Sequence, residues 1–175
     1  WYRSRGLGDV YKRQSIDLSK KAEKLGVDAI LLTVPAYNKP TQDGLYKHFV
    51  KIADSVSIPG LLYNVPSRTS LNMDTDTTLK LAKIDNIVGV KEASSDPDQI
   101  TNIISGSPEN FKVWSGNDNE TFSIMSTGGH GVVSVASNII GNQVKKLMGF
   151  ILDGQTELAA KEHKRLLLFL SLIHI

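Results

Sequence analysis

The sequence predicts a parallel α/β fold, read as five consecutive βα units of a (β/α)8 barrel. Three observations point there. Apolar strand-like runs alternate five times with helix-period segments over short connections. The runs are nearly continuous in apolar residues, as strands covered on both faces must be. No G-x-G-x-x-G or G-x-x-x-x-G-K-[ST] segment follows any of them, which counts against the alternative, an open doubly wound nucleotide-binding sheet.

Each element has its own signal. "IDLSKKAEKLG" places Ile16, Ser19, Ala22 and Leu25 near helical spacing, with Gly26 as C-cap. "VDAILLTV" is the first strand. Thr41 caps a helix whose Leu45, His48, Phe49, Ile52 and Ala53 share one face. "PGLLYN" is the second strand, followed by a helix over 75–83 capped by Asp74. "IVGVK", 87–91, is the third, followed by a helix capped by Asp96 with Pro97 in its first turn. "FKVWS" precedes a helix through Phe122 and Met125 that stops at Gly128 and Gly129. "GVVSVA" is the fifth strand. Ile140, Val144, Leu147 and Ile151 mark the helix after it, and "QTELAAKEHKRLL" makes another.

At 175 residues, with 41% hydrophobic and 22% charged residues, the chain has the size and balance of one globular domain. It has no cysteine, hence no disulfide framework and no thiolate metal site. The net charge of +2 is misleading, because Arg3, Arg5, Lys12 and Arg13 against Asp9 put +3 into residues 1–14 and leave the rest at −1. A nucleic-acid partner loses its electrostatic support. No apolar run is long enough to span a bilayer, and a cytoplasmic location is expected. The patternless 1–14 and the apolar 168–175 read as non-native additions resembling vector read-through. Between them, 15–137 reads as barrel strands four to eight, and 138–167 as the last barrel helix with the start of a helical tail.

In parallel α/β folds the chemistry collects at the carboxyl ends of the strands. Those ends carry Tyr37, Tyr63 with Asn64, Lys91, Ser115 with Gly116, and Val133 within the fifth strand. Lys91 emerges from "IVGV", where desolvation disfavours an ammonium and lowers its pKa. A neutral amine there can attack a ketone to form a Schiff base. Tyr63 ends the neighbouring strand, about 4.8 Å away, within reach to relay the protons that imine chemistry needs. Arg68, five residues on, offers forked donors to a substrate carboxylate. Tyr37 has no chemistry assignable from spacing. His48 and His130 read as packing and turn residues, and no metal-ligand spacing is present. The acidic residues read as caps and helix surfaces.

Together, "AYNKPTQDGLYKHF", "LLYNVPSRT", "GVKEASSD", "WSGND" and "GGHGVVSV" resemble, in order and spacing, the dihydrodipicolinate synthase family of class I pyruvate-dependent aldolases, over about Ser15 to Leu167. The resemblance implies a TIM barrel with a helical tail, assembled as a homotetramer of tight dimers. It makes Lys91 the Schiff-base lysine and Tyr63 the proton donor and acceptor. Tyr37 completes a relay reaching the neighbouring subunit's site. Arg68 receives the carboxylate of L-aspartate 4-semialdehyde, and Val133 and Gly116 belong to the substrate site. The implied reaction condenses that aldehyde with pyruvate, toward diaminopimelate and lysine, with no metal or organic cofactor. Relatives that share the lysine and tyrosine include N-acetylneuraminate lyase and keto-deoxy sugar-acid aldolases, and "NVPSRT" favours the synthase over them. Two departures stand out. The family's Gly-Thr-Thr-Gly-Glu segment and first three βα units have no match here, which predicts that residues 1–175 alone do not turn over substrate. Ala36 stands where many members carry a second tyrosine used in lysine feedback.

Overall fold

The computed structural model describes residues 7–173, with side chains described for 13–171. Helix α1 (Leu7–Lys24) leads into β1 (Ile30–Thr33), α2 (Gln42–Ala53), β2 (Gly60–Asn64), a single-turn α3 (Pro66–Thr69) and α4 (Thr75–Leu81). Then come β3 (Ile87–Glu92), α5 (Pro97–Gly106), β4 (Lys112–Ser115), a 3-10 turn (Asp118–Glu120), α6 (Thr121–Ser126), β5 (Gly131–Val132), α7 (Ser137–Leu152) and α8 (Thr156–Ile173).

The five strands form one parallel sheet in the order β1-β2-β3-β4-β5. Spatial order equals chain order. A doubly wound sheet needs a reversal of strand order to put helices on both faces. Without one, right-handed crossovers all return over the same face, and the other face is the inside of a barrel. Alternation along the strands agrees. Leu32, Leu62, Val90 and Val113 point outward and are buried beneath the helices with Phe49, Met73 and Leu81. Each such side chain contributes about 1.5–3 kcal/mol of transfer free energy. A second cluster joins Leu147 of α7 to Ala159, Leu166 and Leu170 of α8.

The local signals act as read. Thr41 Oγ1 accepts from the Gly44 N–H at 3.2 Å, Asp74 Oδ1 from Thr77 N–H at 2.8 Å and Asp96 Oδ1 from Gln99 N–H at 3.0 Å. Gly26 takes φ +78° just past α1.

Three expectations need correction. The first helix begins at Leu7, not near Ser15. No proline interrupts 7–14, so a helix nucleated by the amphipathic segment can continue backward through it. Residues 1–6 of the expected leader and 174–175 of the expected tail lie outside the described residues. The fifth strand, expected over 131–136, is only Gly131–Val132. Val133 N–H makes one more bond to Ser115 O at 2.9 Å, after which the Val135 and Ala136 N–H groups turn to the Asp118 carboxylate, at 3.0 and 3.1 Å. The first strand is likewise shorter than 27–34, since β1 pairs only with β2 among the described strands.

Candidate active site

The ends of β2 and β3 organise the site. Their register pairs Tyr63 with Lys91 and Asn64 with Glu92. Because successive side chains alternate in face, the first pair points into the barrel and the second toward the helices. On the inner face, Lys91 Nζ lies 4.2 Å from the centroid of the Tyr63 ring. The lysine is only 8% exposed. Burial holds its pKa below the ordinary lysine value of 10.5; the Asp118 carboxylate pulls it back up, and the Arg68 guanidinium lowers it further. A buried amine shifted this way is a nucleophile nearer neutral pH.

The surroundings leave little slack. A Cβ at Gly116 would sit 2.8 Å from Ala93 Cβ, 3.0 Å from Glu92 O and 3.2 Å from Lys91 Cε. Glycine there lets the β4 end lie against the lysine stem, tied by a 2.7 Å bond from Gly116 N–H to Glu92 O. Trp114 is the β4 partner of Lys91. Its ring passes over Gly89, where a Cβ would lie 2.4 Å from Cζ3. The indole thus occupies the layer beneath the lysine, and the His130 ring meets it edge-on at 5.1 Å.

The other residues read from the sequence are placed less centrally. Arg68 is exposed in α3, which starts at Pro66 directly after β2, and its charge is felt at Lys91. Val133 follows β5 instead of lying within the strand. Tyr37 lies in the loop between β1 and α2, 71% exposed. His48 is buried against Phe49, rings 5.1 Å apart. No group of three or more His, Asp or Glu among the described residues is arranged to hold a metal ion.

Two acids depart from the expected caps and surfaces. Asp118 bridges loops: one oxygen accepts from Ser134 Oγ, the other from the Val135 and Ala136 N–H groups. It fastens the β4 loop to the turn before α7 and supplies the nearby negative charge for Lys91. Glu92 is fully buried. Its carboxyl pKa is raised, first by burial, although bonds from Ser94, Asn64 and Gln99 oppose the shift. The signal for Glu92 was its position: next to a strand-end residue that faces inward, it had to face the helices.

A model of the dihydrodipicolinate synthetase family matches residues 5–174. The chain belongs to that family. The match extends beyond 15–167 on both sides. The 4-hydroxy-tetrahydrodipicolinate synthase 1 of Halalkalibacterium halodurans is 52% identical over 162 residues, covering 93% of this chain and 55% of that protein. The 4-hydroxy-tetrahydrodipicolinate synthase of Dehalococcoides mccartyi is 48% identical over 161 residues, covering 92% and 54%. Among solved structures, dihydrodipicolinate synthase from Aquifex aeolicus superposes with a TM-score of 0.91 at 39% identity, covering 94% of this chain and 56% of that one. The chain thus spans about half the length of its relatives, and its five-stranded sheet is part of a TIM barrel.

Proposed function

We propose that this chain carries the imine-forming part of a 4-hydroxy-tetrahydrodipicolinate synthase. The observation that carries the reading is Lys91 Nζ, buried and depressed in pKa, 4.2 Å from the Tyr63 ring on the inner face of the sheet. Names of relatives 48–52% identical over nearly the whole chain support it.

In this reading, neutral Lys91 attacks C2 of pyruvate. The carbinolamine oxygen takes a proton and leaves as water, giving the imine. Loss of a C3 proton gives the enamine, whose C3 adds to the aldehyde carbon of L-aspartate 4-semialdehyde. The aldehyde oxygen gains a proton and becomes the hydroxyl. The substrate's own amine then closes onto C2 and expels Lys91. Protons are moved at several of these steps, and their relay is assigned to Tyr63, whose ring centroid lies 4.2 Å from Lys91 Nζ. Arg68 receives the carboxylate of the aldehyde, while Gly116 and Val133 line the pyruvate pocket. Tyr37 extends the relay across a dimer interface. A cytoplasmic homotetramer belongs to the same proposal, by family resemblance.

Pyruvate with borohydride tests the reading on a protein of the relatives' length that carries this segment. Peptide mapping should find the reduced adduct on Lys91. An unmodified Lys91, or an adduct on another lysine, would overturn the reading. Assay of aldehyde acceptors then separates a synthase from sialate or sugar-acid lyases.

A further inference from the structure

Behind the reactive pair lies a second, wholly buried pair. Asn64 and Glu92 are both 0% exposed and are register partners one step past Tyr63 and Lys91. Asn64 Nδ2 donates toward both Glu92 oxygens, at 3.1 and 3.3 Å. The Ser94 N–H donates to Glu92 Oε1 at 2.9 Å. Asn64 Nδ2 also reaches Asn72 Oδ1 at 2.8 Å and Met73 O at 3.3 Å, and Asn64 Oδ1 accepts from the Met73 N–H at 3.0 Å. Gln99 of α5 closes the group, donating to Asn72 Oδ1 and Met73 O, each at 3.2 Å, and accepting from Asn72 Nδ2 at 2.7 Å.

An apolar pair would fill this space without desolvating a carboxyl. The side-chain bond instead runs across the strand pair, at the only register step beyond the reactive residues. We infer that Asn64 and Glu92 form a positioning clamp that holds the β2 and β3 ends in the one register that keeps the Tyr63 phenol beside Lys91.

The clamp acts by geometry. Glu92 Oε1 alone accepts from both Asn64 and Ser94, so a glutamine can keep both bonds, whereas a leucine of similar shape keeps neither. The inference rests on the imine reading above, and the experiment separates the two. Two signals are followed in a protein of the relatives' length that carries this segment: borohydride trapping of pyruvate on Lys91, and deuterium uptake at pyruvate C3. Trapping reports the lysine. Deuterium uptake needs proton transfer through the enamine, and therefore the tyrosine.

Glu92→Leu should still trap pyruvate with the pH profile of the unsubstituted protein, but exchange C3 protons about 10²-fold more slowly, as for a reacting group misplaced by an ångström. Glu92→Gln should restore exchange. Should Glu92→Leu fail to fold, Asn64→Ser removes the same bond from the other strand and must show the same split. Unslowed exchange in folded Glu92→Leu or Asn64→Ser overturns the clamp, as does Glu92→Gln behaving like Glu92→Leu. Failure of the unsubstituted protein to trap pyruvate on Lys91 instead overturns the imine reading, and the clamp with it.

Discussion

β2 and β3, two of the three interior strands of the sheet, end differently from β1 and β5 at its two sides. β2 and β3 each have a strand on both sides, and β3 runs six residues with Val90 and Glu92 fully buried beneath the helices. Among the described residues, β1 pairs with β2 alone and β5 with β4 alone. On β1 the inward Leu31 is 47% exposed, and β5 stops after two residues. The site follows the same division. Tyr63 and Lys91, on β2 and β3, are held by ladder bonds within the sheet and by the Asn64–Glu92 side-chain bond on its helix-facing side. Tyr37 follows β1 on backbone outside the ladder, and Val133 follows β5 with its N–H still bonded to Ser115 O. Within the described residues the Tyr63–Lys91 pair lies on strands flanked on both sides, whereas Tyr37 and Val133 lie just past strands flanked on one.

Substitutions can break or sharpen this contrast. The largest effect is expected at the centre: Tyr63→Phe should slow C3 deuterium exchange by about 10²–10⁴-fold, the usual weight of a positioned acid–base group, while borohydride trapping on Lys91 persists. Next is Gly116→Ala. Its Cβ would lie 2.8 Å from Ala93 Cβ, and overpacking of this kind costs about 1–3 kcal/mol. A chemical denaturation midpoint should fall, and pyruvate trapping should weaken because Lys91 Cε is displaced.

In the loop between β4 and α6 the expected effect is smaller and of another kind. Asp118→Asn removes the anion that favours the charged form of Lys91. The trapping midpoint should therefore move to lower pH, and the turn before α7 should loosen, with lower stability toward chemical denaturant. A midpoint that moves upward would show that the β4 and β5 loops do not act on the lysine through this charge. The finest test concerns Glu92. Its folded pKa is raised above 4.5, so its contribution is present below 4.5 and is lost as pH rises through the folded value. Stability measured across that window should fall with pH, and Glu92→Gln should flatten the slope.

Much of this was legible in the chain. Near-continuous apolar runs gave the parallel strands. Thr41, Asp74 and Asp96 announced three helix starts through short polar side chains that bond locally, and Gly26 marked a helix end. Lys91 and Tyr63 were readable because a strand's end and its face follow from position alone. The sequence therefore determined the element types, the fold class and the adjacency of Tyr63 and Lys91 at two strand ends, all matters of local bonding and period.

Only the tertiary structure decided the rest. The length of β5 depends on Asp118, which draws the Val135 and Ala136 N–H groups out of the ladder from fifteen or more positions away in sequence. The burial of Glu92 depends on α5 and the 72–73 backbone closing over it. The depressed pKa of Lys91 sets burial, reinforced by the Arg68 guanidinium, against the Asp118 carboxylate, two charges brought in from separate segments. Each is a through-space effect, set by which distant segments meet, and no period or cap in the chain encodes it.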